Sequence, residues 1–495
     1  MTINETTYKQ LRCTNGNLPR GYGLPKIHKA GYPLRIIIST VGSPVYNIAT
    51  YLSEILQNAV KKPRSHIKDS WSFVETIKDK NIDDSQVMIS LDVTSLFTNT
   101  PWELIKIAIE NRWEDISQFT TFNLAQFLHA IDTVMCSTSF VFDGKFYEQV
   151  FGSPMGSPLS PILSDMVMDD LESYCLRQLD FEPSCYFRYV DDIFSIIPKG
   201  KMEDMLMIFN GFHNRLKFTF ELENNCSLSF LDTNVIRIDG RLTTNWFRKP
   251  TFSGRYINFL SNHPMRYKLS VITSLVDRAI LLADPMFHEE NINIIRGILR
   301  NNCYPLTVIN NNINKRLRAI KFGGNCSSLN HNKFDARRCM VLPYIRDLSE
   351  NITRCINKNG VDVLYTVPKK LDTLIKRGKD RIDNLKRTDV VYKIECANCD
   401  STYIGQTKRH LETRIKEHRN NIKKDTTMHS VVSLHRTCND HEFRWDSPVI
   451  LHQEKQTRKR EIAEMFYIKR QRKSINLQKD TENFSGIYDR VLDVI

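Results

Sequence analysis

Short apolar runs cut by turn residues alternate along the chain with longer stretches in which apolar residues recur every three or four positions. The first pattern is that of buried strands, the second that of amphipathic helices. Tyr186 to Val190 and Ile193 to Ile197, rich in β-branched and aromatic residues, predict two strands with Asp191 and Asp192 at the hairpin tip between them. Val87 to Val93 predicts a strand ending in Asp92, and Leu34 to Ser39 a buried strand carrying Arg35. Helical spacing occurs over Pro44 to Gln57, with Val45, Ile48, Tyr51, Leu52, Ile55 and Leu56 on one face, and over Ile162 to Leu171. It returns between Tyr267 and about Arg300, where Leu269, Ile272, Leu275, Val276, Ala279 and Ile280 recur. Phe140 to Val150 is hairpin-like, and Asn301 to Asn332 reads as loops around a short helix. Val341 to Ile356 with Val361 to Tyr365 suggests a small α/β connector, followed by a charged linker or helix over Lys369 to Lys386. Val390 to Ile394 and Thr402 to Gly405 are strand-like, and Lys408 to Arg419 reads as a helix.

With 495 residues the chain exceeds what one core supports, so about two or three domains are expected. Hydrophobic residues at 41% and charged residues at 25% describe an ordinary globular protein. Lys and Arg number 69 against 56 Asp and Glu, a net +13 with pI near 9.1, which points to a polyanionic partner such as nucleic acid. Met1 to Arg20 is polar and lacks the apolar core of a signal peptide, and no apolar run reaches the roughly 18 residues of a membrane span. Twelve cysteines without a secretory signal read mostly as buried thiols, not as a disulfide framework. Secreted and membrane-spanning functions are thereby set aside.

Adjacent aspartates in a turn are ordinary surface chemistry. They become a candidate Mg2+ site when a third acid arrives from elsewhere, because that ion takes one or two carboxylates with phosphate oxygens. Asp92 is such an acid, since a carboxylate ending a buried strand is costly unless it binds something. Arg35 in its apolar strand needs either a salt-bridge partner or a bound triphosphate. Gly152 to Pro161 is a Gly/Ser/Pro-rich loop where backbone can approach a ligand closely, and Gly21 to Lys29 is a basic loop. Phe97 on its own reads as core.

In order along the chain, Asp92, the Gly156-Ser157-Pro158-Leu159-Ser160-Pro161 loop and Tyr189-Val190-Asp191-Asp192 resemble the reverse transcriptase family, whose strand-borne acid, template-gripping loop and Tyr-x-Asp-Asp hairpin form one site. Leu24-Pro25-Lys26-Ile27-His28-Lys29, Phe218 to Glu223, Ser229 to Val235, Trp246 to Thr251 and Ser261-Asn262-His263-Pro264 are similar to Penelope-like retroelement proteins, from roughly residue 20 to the C-terminus. The resemblance implies a multidomain α+β protein: a right-hand polymerase of fingers, antiparallel palm sheet and helical thumb, followed by a small α/β nuclease. The expected division is fingers and palm over 1–260, thumb over 261–335, connector and linker over 336–388 and nuclease over 389–485. It also implies Asp92 and Asp191 on two Mg2+ ions with Asp192 in support. Lys26 and Arg35 would contact the triphosphate, Gly156 would lie in the nucleotide site and Phe97 would crowd the sugar 2′-carbon. Met155 stands where many relatives carry Gln, so no hydrogen-bonding role passes to it. The family usually has more sequence ahead of the fingers motif, so an N-terminal truncation is expected.

Nearer the C-terminus, Tyr392, Tyr403-Ile404-Gly405, Arg414 and His418 on one helix face, Glu461 and Asn476 resemble the GIY-YIG nucleases, with Val390-Val391 in place of the first Gly-Ile. This implies Glu461 on one Mg2+, Tyr392 or Tyr403 activating water with His418, Arg414 neutralising phosphate charge and Asn476 fixing geometry. Cys396, Cys399, His435 and His441 have the spacing of a Zn2+ site, with His429 and Cys438 as rival ligands. Penelope-like endonuclease domains are similar here, with two cysteines and two histidines beginning in this insertion. Lys455, Arg458, Lys459, Arg460, Lys469, Arg470, Arg472 and Lys473 read as a phosphate-tracking surface.

Together the resemblances imply an RNA-directed DNA polymerase coupled to a DNA-nicking endonuclease, acting on template RNA, target DNA and dNTPs in the nucleus, for target-primed retrotransposition. The alternatives are a polymerase with an inactive nuclease that extends existing DNA ends as telomerase does, and a catalytically dead relic that binds nucleic acid.

Overall fold

The computed structural model describes residues 3–27, 31–78, 80–322, 338–368, 370–371, 374–375, 378–423 and 429–492. His28 and Lys29 of the basic loop, the Asn-rich stretch beyond Phe322 and parts of the charged linker lie outside the described residues.

The N-terminal half contributes strands β1 (Arg20–Pro25), β2 (Leu34–Ser39), β3 (Gln86–Val93), β4 (Ser139–Phe142), β5 (Lys145–Glu148), β6 (Cys185–Tyr189), β7 (Asp192–Pro198) and β8 (Phe218–Leu222). The palm sheet is antiparallel in the order β6-β7-β3-β8, and the fingers sheet has the order β2-β1-β4-β5. Both faces of the palm sheet are covered. Ile89, Leu91, Val93, Ile193 and Ile197 share a core with residues of the helices Tyr46–Ala59, Trp102–Glu110, Leu124–Cys136 and Ser160–Gln178. Met88, Phe194 and Ile196 share another with Phe73, Ile77, Phe230 and Val235. Alternation along a strand sends neighbours to opposite faces, so a strand buried on both must be apolar throughout. In β7 only Ser195 interrupts Ile193 to Ile197, and its hydroxyl donates to Cys185 O at 2.8 Å.

The expectation of a buried strand over Leu34 to Ser39 is not met. β2 is an edge strand paired only with β1, and Leu34, Arg35 and Ile36 are exposed. An apolar run at a sheet edge has the same sequence signature as one at its centre.

Strands β9 (Ser227–Phe230), β10 (Thr233–Ile238) and β11 (Arg241–Trp246) form a small sheet beside the palm. The thumb helices Met265–Leu281, His288–Asn301 and Leu306–Lys321 pack around Ile272, Leu275, Ile295, Leu299, Ile309 and Ile313. Trp246, Tyr256 and Phe259 join that core, so its packing begins ahead of residue 261. The stretch read as loops around a short helix contains a 16-residue helix, Leu306–Lys321. In the connector, β12 (Arg338–Pro343) and β13 (Val361–Thr366) pair in parallel and are linked through the helix Leu348–Asn357. The C-terminal unit has an antiparallel sheet in which β14 (Val390–Glu395) lies between β15 (Thr402–Thr407) and β16 (Val449–Gln453), with the helices Leu411–Asn421, Val431–Asn439 and Thr457–Arg470 around it. Among the described residues no helix is long and apolar enough to cross a membrane.

Candidate active sites

β3 and β7 pair so that Asp92 stands opposite Asp192, while Tyr189 closes the β6–β7 hairpin on the same Asp192. The two-residue tip is therefore Val190-Asp191 and not the aspartate pair, because the ladder with β3 holds Asp192 in the strand. Val190 has φ +57°, a left-handed conformation that costs a β-branched residue about 1–3 kcal/mol. Burial raises Asp191 above the usual carboxylate range, with Asp92 adding to it and the charges of Arg35 and Lys26 opposing. Asp192 is pushed up to about 6 by burial and by Asp191 and Asp92, with Lys249 opposing. Carboxylates raised by burial and by neighbouring carboxylates fit a divalent cation, which would remove the repulsion.

The loop before the helix Ser160–Gln178 is clasped between palm and fingers. Ser153 N donates to Phe97 O at 2.7 Å, Ile38 N to Met155 O at 2.9 Å and Thr40 Oγ1 to Gly156 O at 2.9 Å. Gly156 has φ +133°, and a Cβ there would lie 2.3 Å from Ile38 O, so the close approach that requires glycine is to β2. Phe97 is half-buried in the short helix Leu96–Asn99 after β3, and its carbonyl is held by Ser153 of the same loop. Lys26 is half-buried and Arg35 exposed.

In the C-terminal unit Tyr392 on β14 pairs with Gly405 on β15, where a Cβ would come within 2.8 Å of the Tyr392 hydroxyl. The glycine makes room for the ring. Tyr392 is fully buried, and its Oη lies 2.7 Å from Nε2 of the buried His418. Burial, with the nearby Arg414 charge, pushes His418 down to about 4, while burial raises Tyr392 well above the usual phenol range. The protonated phenol therefore donates to a neutral imidazole. Tyr403 is half-buried, with its ring centroid 5.0 Å from that of His418. Arg414 lies beside both phenols, bonded to Glu417 at 3.1 Å, and its buried Nε has no hydrogen-bond partner among the described residues. Asn476 accepts from Ile404 N at 2.9 Å and donates to Ile404 O at 2.8 Å, bracketing the backbone next to Tyr403.

Glu461 is exposed, and Glu464 takes its place toward the site. Burial first, then Asp480, pushes Glu464 up to about 7, and its charge is felt by Tyr392 and Tyr403. Helix phase is the reason: Arg460 and Ile468 are the buried positions of Thr457–Arg470, and Glu464 lies on their face at i+4 from one and i−4 from the other. That i, i+4 row is the signal that could have found it. Arg460 also leaves the basic surface, because it is 2% exposed and donates to Gln406 Oε1 at 2.7 Å and Asp389 Oδ1 at 3.2 Å. The remaining members of that run are exposed.

Cys396, Cys399, His435 and His441 bring one ligand atom each within 4.8 Å of one another, the only such group of three or more His, Cys, Asp or Glu among the described residues. The three palm aspartates are thus set more openly than this quartet. Cys396 Sγ to His441 Nδ1 and Cys399 Sγ to His435 Nε2 are both 3.6 Å, and the two nitrogens are 3.3 Å apart. A tetrahedral ion with bonds of about 2.3 Å to sulfur and 2.0–2.1 Å to nitrogen places S and N about 3.6 Å apart and two N about 3.3 Å apart. The donors fit Zn2+, and His429 and Cys438 fall outside the group.

Three family descriptions match the chain: reverse transcriptase (RNA-dependent DNA polymerase) over residues 27–223, animal helix-turn-helix domain over 255–314 and GIY-YIG catalytic domain over 389–478. No curated protein matches. Among solved structures, telomerase from Candida albicans with a telomeric RNA fragment is 12% identical at TM-score 0.39, covering 65% of this chain and 58% of that one. The RNA-dependent RNA polymerase of a human picorbirnavirus is 13% identical at TM-score 0.39, covering 62% and 59%. Sicinivirus 3Dpol is 14% identical at TM-score 0.40, covering 63% and 71%. The chain thus spans less than two thirds of the first two.

Proposed function

We propose that this chain, a Penelope-like protein in which a reverse transcriptase domain is joined to a C-terminal GIY-YIG catalytic domain, nicks DNA with its C-terminal site and copies RNA from the 3′-hydroxyl left at the nick. The observation that carries the reading is the cross-strand pair of Asp92 and Asp192 with Asp191 on the adjoining tip, two of these carboxylates being held above their ordinary range.

Both domain types work with divalent metal; Asp92 and Asp191 would hold Mg2+, which would supply charge neutralisation at the reacting phosphate. Asp192, beside Asp92 in the ladder, would support that metal. Lys26 and Arg35, whose charges reach Asp191, meet the triphosphate from the fingers side. Phe97 crowds the sugar 2′-carbon, and the loop at Gly156 locks fingers to palm beside the template. In the nuclease, Glu464 takes the metal-binding role in place of Glu461. The Tyr392–His418 pair relays a proton: as the phenol accepts one from water it passes its own to Nε2, while Tyr403 orients the attacking water. The resulting hydroxide bonds to phosphorus as the bond to the 3′-oxygen breaks, and that oxygen takes a proton from solvent. Arg414 neutralises charge gained by the phosphate oxygens, and Asn476 holds Tyr403 in place through Ile404. Cys396, Cys399, His435 and His441 hold a structural Zn2+. The division at residues 260, 335 and 388 belongs to this reading, with Trp246, Tyr256 and Phe259 contributing to the thumb core. The partners are template RNA, target DNA and dNTPs, and in a nucleated cell the target places the protein in the nucleus.

The test is primer extension on an RNA template with Mg2+ and dNTPs, beside nicking of supercoiled plasmid. Extension lost on Asp191→Ala and nicking lost on Glu464→Ala support the reading. Extension without nicking by the wild type would leave a polymerase that uses existing ends, and neither activity would leave a nucleic-acid-binding relic.

A further inference from the structure

We propose that Arg188 is the positioning residue for the palm site, holding the Val190-Asp191 tip through one guanidinium that ties the tip carbonyl to two carboxylates of the helix Ser160–Gln178. The inference rests on the polymerase reading. Arg188 is fully buried on β6. Its Nε donates to Glu172 Oε2 at 2.7 Å, and its Nη1 donates to Asp165 Oδ1 at 2.7 Å and to Val190 O at 3.2 Å. Asp165 and Glu172 are two turns apart and present one face to it. Each is anchored from behind: Lys62 Nζ reaches Asp165 Oδ2 at 2.6 Å, and Ser65 Oγ donates to Glu172 Oε1 at 2.5 Å. The backbone is held as well, Arg188 N donating to Ser65 O at 2.7 Å and Ile67 N to Arg188 O at 2.8 Å.

The hairpin ladder ends at Tyr189 and Asp192, so nothing in the ladder fixes the Val190 carbonyl. Val190 is also the residue with the left-handed φ of +57°. Relaxation toward negative φ would turn the peptide joining it to Asp191 and carry that carboxylate away from Asp92. Nη1 opposes this turn by gripping the carbonyl while Asp165 and Glu172 fix the guanidinium plane. A planar fork can do this, whereas the single ammonium of lysine cannot reach Glu172, Asp165 and Val190 O together. A misplacement of about 1 Å at a reacting centre can cost about 100-fold in rate.

The experiment compares wild type, Asp165→Asn, Arg188→Lys and Arg188→Lys with Val190→Gly. Asp165→Asn is the gentle variant, because Asp165 lies at the edge of the network with 14% side-chain exposure and Glu172 keeps its bond to Nε. Expected are a fall in kcat for primer extension of about 10-fold to 100-fold with little change in dNTP KM. Mn2+ affinity should weaken in a Glu464→Gln background, followed by electron paramagnetic resonance without nucleic acid. Val190→Gly should recover much of the loss from Arg188→Lys, because glycine takes φ +57° without strain. A purely structural arginine predicts the opposite: loss that follows the melting temperature, Mn2+ affinity unchanged in folded protein and no recovery from the glycine. That result, or wild-type behaviour of both single variants, overturns the proposal. Wild type that fails to extend would sink the polymerase reading, while the Mn2+ titration would still decide whether Arg188 sets the tip.

Discussion

Replacing Glu464 by Gln separates what the carboxylate does for the nuclease from what it does to the fold. Burial, with Asp480 and Glu461 adding, raises Glu464 from the ordinary 4.5 to about 7, against the Gln406 backbone and Arg414. Because the folded value lies above the unfolded one, the unfolded chain releases its proton first as pH rises. Stability is unaffected well below 4.5, falls between about 4.5 and 7, and bears the full penalty above 7. At 1.36 kcal/mol per pKa unit the gap corresponds to about 3 kcal/mol as an upper bound. Gln has the same shape and cannot ionise, so the metal-free variant should be more stable at pH 8 by up to that amount and nearly unchanged near pH 4. Native-state hydrogen exchange at the β14 and β15 amides of the intact chain reads this directly, slowing by up to about 100-fold at pH 8 where exchange requires the domain to open. The same variant should nick no plasmid, whereas Glu461→Gln should nick like wild type. Unchanged exchange at pH 8, or nicking lost on Glu461→Gln and kept on Glu464→Gln, would refute the assignment.

Asp192, pushed up to about 6, holds a proton below that pH, so the Mg2+ half-saturation of primer extension should climb as pH falls through 6 and be flat above 7, as Mg2+ titration at fixed pH would show. Gly156→Ala forces a Cβ to within 2.3 Å of Ile38 O, and extension should fall by about 100-fold or more while plasmid nicking is retained. Phe97→Ala should admit ribonucleotides, checked by single-nucleotide incorporation; unchanged discrimination would remove that role. Metal analysis should find zinc in the purified protein, and Cys399→Ser, or removal of zinc by chelation followed by restored Mg2+, should cost nicking while sparing extension. Bonds from Ser401 first, and then Cys396 and His435, lower the Cys399 thiol to about 6, so zinc affinity should begin to weaken as pH falls below that value.

What the sequence disclosed follows from what each pattern encodes. β3, β6 and β7 were legible because strands covered on both faces leave continuous apolar runs, and the C-terminal ligand quartet because metal ligands impose spacing. The one-residue displacement of the hairpin tip was not legible, since register is fixed by the partner strand and Asp92 pairs with Asp192. The buried placement of β2 failed for a related reason: an apolar run does not say how many neighbours its strand has. Glu464 went unrecognised because the phase of its helix is set by Arg460, an arginine that composition assigns to solvent and that Asp389 and Gln406 draw inside. Arg188 left no mark beyond a single charge in an aromatic strand.

The two sites rest on the same physical device. An acid raised by burial and by its neighbours is more stable protonated or displaced, and Val190 at φ +57° is more stable turned away. Such groups remain in place only where the surrounding structure over-determines them. In the palm that is done by Arg188 on the Val190 carbonyl, and in the nuclease by Asn476 on both backbone groups of Ile404. Metal affinity at each site therefore depends on side chains outside the metal-binding sets. The hydrogen-bond network of Lys62, Ser65, Asp165, Glu172 and Arg188 shares no member with the bonds of Arg460 to Asp389 and Gln406 or with those of Asn476 to Ile404. A lesion in one should leave the chemistry of the other intact. Contacts between the fingers and the approach to β14 include Arg20 Nη1 to Asp380 O at 2.5 Å, Gly144 N to Asp380 Oδ2 at 3.2 Å and Asn17 Nδ2 to Lys386 O at 3.3 Å. Those contacts involve no member of either network, so weakening them should abolish neither nicking nor extension.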